Sequence, residues 1–135
     1  MTGTPTPAGT TILLVEDEDG TRKTMAATLR SEGYTVLDAA DGPAAEKLAA
    51  RVGVPPALLL TDFVMPGMNG HELATRLRVK FPKIKVLIMS AHIQDESVQQ
   101  AILEEAFKGG GAFLEKPFSF DAMLRRVRAV LAGTA

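Results

Sequence analysis

Five short runs of apolar and β-branched residues recur at positions 11–15, 34–38, 57–61, 84–89 and 112–114, and the segment after each is long enough for a helix. This alternation constrains the chain more than any other feature. The runs are largely continuous, as in Ile12-Leu13-Leu14-Val15, so the strands they predict are covered on both faces. In the intervening segments the apolar residues fall at helical spacing: Met25 and Leu29; Ala45, Leu48, Ala49 and Val52; Leu73, Ala74 and Leu77; Val98, Ala101, Ile102 and Ala106; Phe120, Met123, Leu124, Val127, Val130 and Leu131. Strands buried on both sides and helices with one apolar stripe predict an α/β fold, a doubly wound, five-stranded parallel sheet. Gly33, Asp41-Gly42-Pro43, Val54-Pro55-Pro56 and Phe81-Pro82 punctuate the connections.

The chain has 135 residues, which predicts one domain over residues 11–132 with no space for an output module. Residues 1–10, rich in Thr, Pro, Gly and Ala, are expected to form a disordered tail, and 133–135 a short C-terminal one. A net charge of −1 argues against direct nucleic-acid binding and against a polybasic membrane anchor. The longest apolar runs fall far short of the roughly 20 residues a membrane span needs. With no cysteine, disulfides, thiolate metal sites and thiol nucleophiles are excluded, and the composition suits a cytoplasmic protein.

In open parallel sheets, ligands bind outside the carboxyl ends of the strands. The predicted strands end there in Glu16 and Asp17, in Thr61 and Asp62, in Ser90, and in Glu115 and Lys116. Carboxylates on adjacent strands repel by a few kcal/mol per pair at an effective dielectric of about 20, so a cation is expected among them. The donors are hard oxygens, which favours Mg²⁺ over zinc. With an ordinary pKa near 3.9, Asp is already an anionic nucleophile at neutral pH. Its repulsion of a phosphoryl group is offset by a divalent cation, a Lys ammonium and a hydroxyl donor, and Asp17, Asp62, Ser90 and Lys116 make up such a set.

Four separated segments carry a family resemblance: Ile12 to Glu18 (ILLVEDE), Leu60 to Gly70 (LTDFVMPGMNG), Val86 to Ala91 (VLIMSA) and Phe113 to Phe118 (FLEKPF). The chain resembles the receiver domain of two-component response regulators over about residues 11–132. The resemblance implies a flavodoxin-like sheet of order 2-1-3-4-5. It further implies that Asp62 accepts a phosphoryl group from a phosphohistidine on a sensor histidine kinase or histidine phosphotransferase. Asp17 and Asp62 would ligate Mg²⁺ with the backbone carbonyl of Val64, and Glu16 would reach the ion through water. Ser90 would bond one phosphoryl oxygen, and Lys116 would pair with another and with Asp62. A cis Lys116-Pro117 peptide is implied, tolerable because cis X-Pro costs only about 0.5–1 kcal/mol. Ala91 would leave room for Ser90 to move, and Phe113 stands at the switch position, swinging inward as Ser90 closes. Val64 and His92 would tune the lifetime of the phosphoryl group.

A phosphoryl group adds roughly −1.5 to −2 charge and biases a two-state equilibrium, which would change the surface over the fourth helical segment, the fifth strand and the last helix. That surface would meet a downstream protein target, and a phosphorylation-dependent dimer is compatible with it. Residues 91–111 run longer than in compact receivers and end in Gly109-Gly110-Gly111, which suggests a displaced or partly disordered helix there. The segments around Ile102 and Phe113 are similar to receivers fused behind hybrid histidine kinases. Two alternatives accompany the receiver. One is a phosphohydrolase of the haloacid dehalogenase type, in which Asp17-Glu18-Asp19-Gly20-Thr21 supplies Asp17 as nucleophile and Asp19 as general acid. The other is a pseudo-receiver, an interaction module without phosphorylation. His71 is expected to be a solvated helix residue.

Overall fold

The computed structural model describes residues 9–91, 96–97, 99–100, 104 and 112–133. Within them the chain runs β1 (Thr11–Val15), α1 (Asp19–Ser31), β2 (Thr35–Ala39), α2 (Gly42–Arg51), β3 (Leu58–Asp62), α3 (Gly70–Lys80), β4 (Lys85–Ser90), β5 (Ala112–Glu115) and α4 (Phe120–Ala132). All pairings are parallel, in the order β2-β1-β3-β4-β5. Residues 96, 97, 99, 100 and 104 are helical.

The continuous apolar runs have the predicted consequence. Along β1, Ile12 and Leu14 join the core beneath α1 and α4, with Met25, Leu29, Met123 and Val127. Leu13 and Val15 point the other way and join Ala45, Ala49, Leu73 and Leu77 beneath α2 and α3. Successive side chains of a strand face opposite ways, so a strand buried on both faces must be apolar at every position. Each of these four helices keeps one buried stripe, with two departures at its edges. Leu48, Val52 and Leu131 are only half-buried, and Phe120, the first residue of α4, is 39% exposed because it precedes the turn that faces the sheet. The stripe at Val98, Ala101, Ile102 and Ala106, the Gly109–Gly111 run and His92 lie outside the described residues, as do residues 1–8.

The last four strands extend one residue further toward the carboxyl end than their apolar runs. The ladder carries polar residues there: Asp62 sits opposite Met89, and Ser90 opposite Glu115. Polar side chains therefore close the strands on one rim of the sheet, and the local sequence holds each loop above it. Glu18 caps α1 by accepting from the Gly20 and Thr21 amides and the Thr21 hydroxyl. Asp41 caps α2, and Asn69 with Glu72 forms a capping box on α3. Ser119 does the same for α4. Such caps fix where each helix begins, and so fix the length of the loop that crosses the rim.

Candidate metal and phosphoryl site

Glu16 and Asp62 are buried at the ends of adjacent strands, 1% and 4% exposed. Asp17, the next residue along, is exposed at the mouth. One carboxylate oxygen from each of the three lies within 4.8 Å of the others. Lys116 reaches in from the end of β5 and places its Nζ 2.6 Å from Glu16 Oε1 and 2.6 Å from Asp62 Oδ1. Its backbone amide is anchored on the Ser90 carbonyl at 2.8 Å, and the Lys116-Pro117 peptide is cis. Asp17, Asp62, Val64, Met89, Ser90, Ala91 and Lys116 line a cleft of about 270 Å³ over these groups.

Three carboxylates thus face one ammonium, and the two buried ones, Glu16 and Asp62, are shifted in opposite directions. Burial, reinforced by the neighbouring Glu16, pushes the Asp62 carboxyl up to about 8, and Lys116 only partly opposes this. Burial also works against Glu16, but hydrogen bonds from Asp62, Lys116 and the Glu18 amide outweigh it and lower its pKa. Burial disfavours the Lys116 ammonium, yet its two carboxylate partners raise its pKa. The two shifts run in opposite directions: burial favours the protonated form of Asp62, and the hydrogen bonds favour the charged form of Glu16. An Asp62 anionic at neutral pH, as its ordinary pKa predicts, is not what this environment gives without a further cation. A divalent ion held by Asp17 and Asp62 would supply such positive charge.

The donor set fits Mg²⁺: every candidate atom is a hard oxygen, and the two buried carboxyl groups share a single cationic partner. Glu16 is tied on both oxygens, Oε1 to Lys116 and Oε2 to the Glu18 amide at 3.0 Å. Ser90 is 4% exposed and its hydroxyl donates to the Ala91 carbonyl at 3.0 Å. Val64 stands 61% exposed on the rim. Phe113 is half-buried opposite Ile88 and packs against the core beneath α2 and α3. His71 lies half-buried in the first turn of α3, away from the cleft.

A match to the family model of the response regulator receiver domain spans residues 12–128. The chain belongs to that family. As a receiver it is 36% identical over 121 residues to the sensor kinase CckA of Brucella abortus, covering 90% of this chain and 12% of that protein. It is 32% identical over 122 residues to the sensory transduction protein RegX3 of Mycobacterium tuberculosis, covering 90% of this chain and 51% of the relative. The receiver thus spans about half the length, or less, of these curated relatives. The solved structure of the chemotaxis protein CheY4 of Vibrio cholerae superimposes with a TM-score of 0.77 at 26% identity, covering 91% of this chain and 99% of that one. Strand order 2-1-3-4-5 and the flavodoxin-like fold agree with that likeness.

Membership disfavours the hydrolase, and the receiver's own contacts agree. Asp19, cast there as general acid, is held by Arg22 at 2.7 Å on the first turn of α1, and Glu18 is spent on the cap. The run of four acids divides into two site groups and two helix-terminal groups. No helix among the described residues is long and apolar enough to cross a membrane. Two supporting residues escape a search for strand-end polar groups. A Cβ at Gly70 would stand 2.6 Å from the Asp62 carbonyl oxygen, so only glycine lets α3 start this close to Asp62. Its place directly after the Asn69 cap is the signal in the sequence. Arg22, the other, donates to the Glu16 backbone carbonyl at 3.0 Å.

Proposed function

We propose that this receiver is the phosphoacceptor of a phosphorelay and that Asp62 is the acceptor. What carries the proposal is the convergence of the Glu16, Asp17 and Asp62 oxygens within 4.8 Å, with Lys116 2.6 Å from Asp62 and Ser90 lining the same cleft. Asp17, Asp62 and the Val64 carbonyl would hold Mg²⁺ directly and Glu16 through water. When bound, the ion supplies positive charge that keeps Asp62 ionised and neutralises the incoming phosphoryl oxygens.

Asp62 attacks phosphorus of a phosphohistidine presented by a sensor kinase or histidine phosphotransferase. The P–N bond breaks, and the histidine ring leaves with the electron pair and takes up a proton. Lys116 then serves one phosphoryl oxygen and Ser90 another, so Ser90 exchanges its bond to the Ala91 carbonyl for one to phosphate. That exchange favours the conformer in which Ser90 and Phe113 have moved inward and alters the surface over β5 and α4 that a downstream protein meets. Val64 and His92 tune the lifetime of the acyl phosphate. The unit acts in the cytoplasm as a signalling phosphoacceptor, with no reaction beyond its own phosphorylation and slow dephosphorylation. Residues 11–132 are the operative domain.

Incubation with acetyl phosphate and Mg²⁺ followed by intact-mass measurement tests this. One phosphoryl group is expected on the wild type and none on Asp62→Asn. Label that survived Asp62→Asn but vanished in Asp17→Asn would refute the proposal and favour the hydrolase.

A further inference from the structure

Arg22 lies on the first turn of α1, and its side chain is only 12% exposed. All three arms of the guanidinium are engaged, each with a different segment. Nη2 donates to Asp19 Oδ1 at 2.7 Å, Nε pairs with Asp38 Oδ2 on β2 at 3.3 Å, and Nη1 donates to the backbone carbonyl of Glu16 at 3.0 Å. The last contact reaches the site. The Glu16 carbonyl belongs to the same peptide unit as the Asp17 N–H, and that N–H donates to Asp62 Oδ2 at 3.3 Å. One peptide group therefore joins the guanidinium to the carboxylate.

We propose that Arg22 is a positioning residue for Asp62, acting through the Glu16–Asp17 peptide. The proposal rests on Asp62 being the acceptor. Peptide dipoles polarise in chains of hydrogen bonds, so a cationic donor on the carbonyl makes the N–H at the other end a stronger donor. The planar fork also fixes the plane of the peptide, because it is braced on Asp19 and on Asp38 while it holds the carbonyl. Rotation of this peptide would withdraw the N–H from Oδ2 and swing Asp17 away from the cleft. Arg22 thus holds two of the proposed metal ligands and the acceptor in one geometry without touching any reacting atom. Lysine keeps the charge but has no fork to span the three acceptors.

The full chain is compared as wild type, Arg22→Gln, Arg22→Lys and Asp38→Asn, with the fold checked by circular dichroism. Two readouts are used: the initial rate of Asp62 modification by acetyl phosphate at saturating Mg²⁺, and the proton shift of the Asp17 amide in the metal-free protein. The expected result is a loss of about tenfold in rate for both Arg22 variants, as for residues that orient metal ligands. Their Asp17 amide should move upfield, with a smaller change of the same sign in Asp38→Asn. A merely structural role would lower the melting temperature and leave that amide where it is. Wild-type rate and amide shift in Arg22→Gln, with the wild type itself modified at Asp62, would overturn the proposal. If the wild type is not modified at Asp62, the acceptor assignment falls instead, and the amide shift alone still decides whether Arg22 orients the peptide.

Discussion

The proton on Asp62 makes metal-free stability depend on pH in a direction opposite to that of an ordinary salt-bridged acid. Asp62 titrates near 3.8 when unfolded and is raised to about 8 in the fold. Between those values the folded chain holds a proton that the unfolded chain has released, so stability falls as pH rises. The slope is about 1.4 kcal/mol per pH unit, which amounts to about 2–3 kcal/mol lost between pH 5 and pH 7 in EDTA. Glu16 acts in the other sense, because its lowered pKa adds stability that is lost only as pH falls below its ordinary value of 4.5. The window from pH 5 to 7 therefore separates Asp62 from Glu16. In Asp62→Asn the titrating group is gone, so the stability of the variant relative to the wild type should rise across the window by that same amount, whatever the substitution costs by itself. Urea unfolding at pH 5, 6 and 7 reads this directly. Added Mg²⁺ should then stabilise the wild type by about 1.4 kcal/mol at ten times its dissociation constant and do little for the variant. Parallel pH profiles for the two proteins, or an equal Mg²⁺ effect on both, would refute the account.

Two further perturbations follow from the same contacts. Gly70→Ala places a methyl group 2.6 Å from the Asp62 carbonyl and should cost about 1–3 kcal/mol in urea unfolding while slowing phosphorylation; an unchanged midpoint and rate would show that α3 gives way freely. Lys116→Met leaves Glu16, 1% exposed, without its ammonium, and breaking such a pair costs about 3–5 kcal/mol. Mg²⁺ should recover part of this loss in a thermal melt.

How much of this was legible in the sequence depended on which physical pattern carried it. β1 was legible to the residue because Ile12 to Val15 must serve two cores at once, and continuous apolarity encodes that requirement. The later strand ends were not, since Asp62 and Ser90 belong to the ladder by hydrogen bonding, which an apolar count does not register. Asp62, Lys116 and Ser90 were legible as a set because they close successive strands of one rim. The tetrad Glu16 to Asp19 was legible as an excess of acid but not in its division of labour, which depends on where α1 begins and on what Arg22 grips. The protonation of Asp62 needed a burial and a distance that no residue pattern states. Arg22 and Gly70 act through backbone groups of other residues, and for that reason nothing in their side-chain chemistry announces them.

The close approach at Gly70 divides the rim mechanically. Asp62 and Phe63 are clamped to the start of α3: Gly70 donates its amide to the Phe63 carbonyl at 2.8 Å, its Cα side abuts the Asp62 carbonyl, and the capping box locks the turn that follows. Across the cleft, the hydroxyl of Ser90 is satisfied by the carbonyl of Ala91, the residue that follows its strand, a bond that can be surrendered without disturbing a second element. The cleft therefore resembles a vice with one fixed jaw. Displacement caused by a group bound at Asp62 would be taken up on the β4 and β5 side, so a conformational signal would leave the receiver in one direction, toward α4, while the anvil beneath the proposed acceptor stays where it is.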